Sequence, residues 1–89
     1  MRVAQEFPNY DVSSLPTIPS SWEDVSWHND ACPSWLIGDI VVFVDFPDFG
    51  DRENKFEDRF IITHKDTCDC LFSGNDWQAV LDFVTNYKG

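Results

Sequence analysis

Asp39-Ile40-Val41-Val42-Phe43-Val44-Asp45-Phe46, followed by an acidic link and then Arg59-Phe60-Ile61-Ile62-Thr63-His64-Lys65, is the stretch on which the fold turns. The run Ile40–Phe46 is β-branched and aromatic almost throughout. That is the composition of a strand in mid-sheet, covered at least partly on both faces. Arg59–His64 reads as its antiparallel partner. The link from Pro47 to Asp58 carries Pro47, Gly50 and the acids Asp48, Asp51, Glu53, Glu57 and Asp58, with Asp45 leading into it. A hairpin tip this charged exceeds what a scaffold requires.

Toward the C-terminus, Lys65-Asp66-Thr67 is a polar turn and Cys68–Phe72 reads as a last short strand. Asn75 is placed to cap a helix, with Gln78 three residues on in a capping-box arrangement. Trp77, Val80, Leu81 and Val84 fall on one helical stripe with Phe83 beside it, predicting a helix over Asp76–Tyr87. Asp76 and Lys88 suit its dipole. Toward the N-terminus, Ser34–Ile37 reads as a strand joined to the central one by Gly38-Asp39, a pairing suited to a type II′ turn. Asn29–Pro33 turns the chain. Within Trp22–His28, Val25 and Trp27 alternate with polar residues and predict a short strand. Residues 1–20, with Pro8, Pro16 and Pro19, predict an extended or irregular arm laid across the domain by Phe7, Tyr10, Val12, Leu15 and Ile18.

The expected architecture is one α+β domain over residues 1–89: an arm (1–20), an antiparallel sheet of about four strands (22–72), and one C-terminal helix (76–87) packed on a face. Trp77, Val80, Leu81 and Val84 are expected to meet Val42, Val44, Ile62 and Phe72. One helix covers one face only. The other must be closed by the arm, by tryptophans or by another molecule.

Sixteen Asp and Glu face six Lys and Arg, a formal charge of −10 on 89 residues. Direct nucleic-acid binding is disfavoured, because phosphate binding depends on basic groups that release counterions. A basic protein partner is favoured, since opposite fields steer encounter. No apolar run approaches the roughly 20 residues that span a bilayer, so no membrane association is expected. No apolar leader follows Met1-Arg2-Val3. The expected location is the cytoplasm, that of the host cell if the chain is phage-encoded. Three cysteines, Cys32, Cys68 and Cys70, fit reduced thiols better than a disulfide framework.

Several chemistries were weighed on the residues. His28 with Cys32, and His64 with Cys68, repeat one spacing and could hold zinc in a small stabilised domain; buried thiols and ordinary histidines explain the same residues. The same pairs lack the helix N-terminus or nucleophile elbow that activates a thiolate, so no catalytic activity is expected. The link acids lack the EF-hand pattern. No cofactor is expected. Trp22, Trp27 and Trp35, flanked by Glu23, Asp24, His28 and Asp30, suit a recognition surface. Trp27 or Trp35 is expected in the core and Trp22 partly exposed.

Ser26-Trp27-His28-Asn29-Asp30-Ala31-Cys32-Pro33-Ser34, followed by Asp45-Phe46-Pro47, Arg52-Glu53 and Arg59-Phe60, resembles small proteins of phage and mobile elements. By size and acidity over its whole length the chain is similar to the anti-CRISPR inhibitors. That resemblance implies a stoichiometric protein inhibitor of a nucleic-acid-handling effector, a CRISPR complex or a nuclease, with carboxylates standing where DNA phosphates would lie. An immunity or antitoxin protein facing a nuclease toxin uses the same physics. The expected contact residues are Asp45, Asp48, Phe49, Asp51, Glu53, Glu57, Asp58, Trp22, Glu23 and Asp24. A homodimer is compatible with all of this.

Overall fold

In the computed structural model, which describes residues 2–30, 32–47 and 58–87, the apolar runs form a five-stranded antiparallel sheet in strict chain order. Its strands are β1 (Glu23–Asp24), β2 (Ser34–Ile37), β3 (Ile40–Val44), β4 (Phe60–His64) and β5 (Cys70–Gly74). Two helices flank it in sequence, α1 (Arg2–Glu6) and α2 (Trp77–Asn86), with a 3₁₀ turn at Val12–Ser14. The α+β class and the C-terminal helix are as expected. The sheet has five strands, one more than the approximate four.

Register follows from the shortest turn. Ile37 lies opposite Ile40, so Gly38-Asp39 closes β2 to β3 as a two-residue loop. Gly38 takes φ +57, and Cys68 is the one described non-glycine residue with positive φ. Asp39 is therefore on the negative side, which selects type II′ over type I′. From that turn the pleat places Trp35, Val42, Ile62 and Phe72 in one row across four strands. Ile40, Val42 and Val44 are buried while Val41 and Phe43 are half-buried. Only one face of β3 is core.

That face is covered from both ends of the chain. Val80 of α2 and Val3, Phe7 and Tyr10 of the N-terminal segment join Trp35, Val42, Val44, Phe60 and Ile62 in one buried cluster. The expectation of an irregular arm fails at its start. The prolines begin at Pro8, which leaves Arg2–Glu6 free to wind into α1 and then stops it. Val3 and Phe7, one turn apart, both face the sheet, and the Phe7 N–H donates to the Val3 carbonyl at 2.8 Å. Farther on, Tyr10 fastens the arm. Its hydroxyl donates to the Asp45 carbonyl at 2.8 Å and accepts from Arg59 Nη2 at 3.0 Å, while Arg59 Nε donates to the same carbonyl at 3.0 Å.

Four local expectations also shift. β1 is Glu23–Asp24, not the Val25–Trp27 alternation, because at Ser26 a side chain replaces the backbone ladder: its buried Oγ accepts from the Ser34 N–H at 3.2 Å. β5 begins at Cys70 because residues 65–69 turn, with Cys68 at φ 61. The α2 cap is Asp76, whose carboxylate accepts from the Gln78 N–H at 3.1 Å. Leu81 is half-buried and outside the apolar cluster; Trp77, Val80, Phe83, Val84 and Tyr87 form the inward stripe instead. Phe83 packs on Phe72 and on Tyr87, with ring centroids 5.6 and 5.7 Å apart.

Candidate functional site

The meander sorts its connections onto two ends of the sheet. At one end lie the tight turn Gly38-Asp39 and the β4–β5 turn, tied together by Lys65 Nζ 3.5 Å from the Asp39 carboxylate. At the other end lie the β1–β2 loop, the start and finish of the β3–β4 link, and the Asn75-Asp76 junction before α2. This second end carries Trp27, His28, Asp58 and Asn75.

Among the described residues Trp27 is its most exposed aromatic, 46% accessible, in the loop after β1. Its ring lies against the His28 imidazole, with centroids 4.3 Å apart. His28 is held in turn by Glu6, whose Oε1 is 3.0 Å from His28 Nδ1 and accepts the His28 N–H at 3.2 Å. The Glu6 clamp therefore joins α1 to the loop and limits the freedom of the indole beside it. Asp30 is exposed in the same loop. Across the end, Asn75 Oδ1 accepts the Arg59 N–H at 2.8 Å and its Nδ2 donates to Asp58 at 2.9 Å. Asn75 thus pins the foot of the acidic link to the start of α2 and orients one of its carboxylates. The arrangement offers an exposed indole seated on a clamped imidazole, with Asp30 exposed in the same loop.

The sequence-derived contact residues divide. Glu23 is exposed on the edge strand, and Asp58 is half-buried at the base of the link. Asp45 is 2% accessible, with its carboxylate turned back to accept the Phe46 N–H at 2.8 Å, so it does not face a partner. Asp24 pairs opposite Trp35 on the covered face; Oδ1 accepts the Ser26 N–H and Oδ2 is buried. Strand alternation is the reason, since Glu23 outward sets Asp24 inward. Trp22 is half-buried against Trp77, ring centroids 5.7 Å apart, and does not serve as the free anchor. Of the two tryptophans expected to compete for the core, Trp35 is inside and Trp27 outside. Asp48, Phe49, Asp51, Glu53 and Glu57 lie outside the described residues.

The residues weighed for zinc are not assembled: among the described residues no three of His, Cys, Asp and Glu stand together as metal ligands. Cys32 is buried, whereas Cys68 is exposed and donates its backbone N–H to the His64 carbonyl at 2.9 Å. A shallow depression of about 540 Å³ along α2 is lined by Phe72, Phe83 and Tyr87, with Asp82 its one carboxylate. It holds neither a histidine nor a cysteine.

Sequence reasoning missed that Trp27 is the exposed indole and missed the Glu6–His28 clamp. The turn formers Asn29-Asp30, close behind Trp27, were the available signal that the strand had ended. Among the described residues no helix is long and apolar enough to cross a membrane. Compared with models of protein families, with curated proteins and with solved structures, the chain matches none.

Proposed function

We propose that the chain is a stoichiometric inhibitor that binds a basic, nucleic-acid-handling protein and masks the surface on which that protein holds nucleic acid. The observation that carries this reading is the charge of −10 together with Trp27 standing clear of the core, its ring against a clamped His28. Opposite fields accelerate encounter with a cationic groove. Exposed ion pairs contribute only ~0–1 kcal/mol each, so residence depends on a desolvated aromatic contact, and Trp is a frequent hot-spot residue. Such an inhibitor is of the same kind as the anti-CRISPR proteins, with a CRISPR effector or a nuclease as the partner class.

The test begins with capture from host lysate on immobilised chain and continues with kinetics on the captured protein. Trp27→Ala is expected to speed dissociation by at least about tenfold. Reversal of Asp48, Asp51 and Glu53 to Lys is expected to slow association and flatten its salt dependence without unfolding the chain. Unchanged inhibition after the triple reversal moves the site off the link. Tight binding of the wild type to naked DNA refutes the proposal, and capture of a toxin encoded alongside assigns it to immunity.

A further inference from the structure

The sheet ends on β5, whose outer edge is unpaired among the described strands. The opposite edge is only the two acidic residues of β1. β5 instead runs five residues, Cys70-Leu71-Phe72-Ser73-Gly74, with no charge and no proline to blunt it. Which of its amides face outward follows from the ladder. The Asp45 N–H donates to the Arg59 carbonyl at 2.8 Å and the His64 N–H to the Asp69 carbonyl at 3.0 Å, so the even-numbered residues of β4 bond toward β5. Phe72 opposite Ile62 and Gly74 opposite Phe60 are therefore the bonded pairs. Ser73 between them turns its N–H and C=O away from the sheet, and it is exposed. Beside this edge runs the depression along α2. Trp77 packs on Phe60 of β4, which puts Ala79, Asp82 and Asn86 on the opposite flank of the helix. With Phe72, Phe83 and Tyr87 they line about 540 Å³ next to β5, and Asp82 and Asn86 are exposed.

An outward-facing backbone amide beside an apolar depression suits an extended chain, whose backbone adds to the ladder while alternate side chains enter the depression. The geometry points to β5 and α2 as the dock for an extended, basic peptide segment of a partner protein, laid along β5 as a further strand. The peptide residue opposite Ser73 exchanges both N–H···O bonds with it. Its two chain neighbours then point to the Phe72 side of the sheet. One, aliphatic or aromatic, covers the half-buried rings of Phe72, Phe83 and Tyr87, which follow one another with centroids 5.6 and 5.7 Å apart. The other, Lys or Arg, meets Asp82. That carboxylate is oriented by Gln78 Nε2 at 3.1 Å and has no ion-pair partner among the described residues. Charge decides the occupant. Neither β5 nor α2 contains a Lys or Arg. A second copy paired edge to edge therefore brings no counter-charge, only another Asp82 and another −10. This inference is independent of the partner-masking reading, which uses Trp27 and the loops at one end of the sheet.

The probe is a displayed library of linear peptides of about seven residues, selected on the immobilised whole chain and resynthesised with capped ends. Selected peptides are expected to carry Lys or Arg two positions from an apolar residue and to bind at about 10–100 μM. They should shift the amide signals of β5 and α2 and leave those of the Trp27 loop in place. N-methylation of the peptide amide that faces Ser73 should weaken binding about tenfold, and methylation of the next amide far less. Asp82→Asn should weaken it about threefold and flatten its salt dependence. Ser73→Pro removes the outward N–H while sparing the ladder to β4, and should abolish binding. If Ser73→Pro fails to fold, the methylated peptides, which leave the protein untouched, still decide. The inference is overturned if no selected peptide binds below about 1 mM, or if the selected peptides lack a basic residue. Binding indifferent to the methylated position and to Asp82→Asn overturns it too. A wild type that dimerises and is made monomeric by Ser73→Pro gives the edge to a second copy and overturns it equally.

Discussion

Val80 and Leu81 are adjacent on α2 and differ sharply in what they do. Val80 has no solvent exposure and sits in the central cluster, whereas Leu81 lies outside it. Val80→Ala should therefore cost about 1.5–3 kcal/mol, and Leu81→Ala clearly less, read from urea unfolding midpoints. The two were equally apolar in the sequence, and a 3.6-residue stripe admits either. What separates them is the helix rotation set by Trp77 against Phe60, ring centroids 5.1 Å apart, and that depends on a strand seventeen residues upstream. Cys68 makes the opposite case. Its φ of 61 lies in the left-handed region, where a side chain is strained. Cys68→Gly should raise stability by roughly 0.5–1 kcal/mol, measured as a higher melting temperature. Nothing in Thr67-Cys68-Asp69 announces a left-handed residue, because glycine or asparagine is its usual sign.

Strands were legible where alternation ran for four residues or more, and the β2–β3 turn was legible because a single glycine fixed it. β1 was not: two residues carry no period. α1 was not either, since five residues cannot form a stable helix alone and exist by docking Val3 and Phe7. At the start of α2 the sequence pointed to Asn75 as the cap, with Asp76 in the first turn, whereas Asp76 is the cap. Tertiary contact chose, because Asn75 is occupied by Asp58 and Arg59. Asp76→Ala is expected to cost about 1 kcal/mol through lost capping. Asn75→Ala should cost comparable stability by a different route, loosening the Arg59 amide and not the helix. Amide exchange separates the two: faster exchange in the first turn of α2 for Asp76→Ala, at Arg59 for Asn75→Ala. Of the candidate site, the acidity could be read directly. The burial of Asp24 and Asp45 could not, because it depends on the register that sets Asp24 opposite Trp35 and on the Asp45 carboxylate folding back onto the Phe46 N–H.

For the whole molecule, the knot of Tyr10, Asp45 and Arg59 sets a response to alkali. Burial pushes the Tyr10 hydroxyl above the usual phenol value, with the Arg59 hydrogen bond and charge acting against that. The folded state thus favours the neutral phenol. Its contribution is complete below the unfolded value near pH 10 and is lost as pH rises from there through the higher folded value. Unfolding free energy should fall between pH 9 and pH 11 in the wild type, and Tyr10→Phe should show a shallower decline from a lower starting stability. The same knot has a consequence in time. Tyr10 meets an arginine 49 positions later in the chain, whereas β2 and β3 meet across two residues. During synthesis the arm is made first and waits longest. The hairpins can close as they leave the ribosome, while Val3, Phe7 and Tyr10 have nothing to rest on until β4 has followed. Until then the nascent chain carries an unshielded aromatic segment, and a part of the core made before the sheet settles only after it.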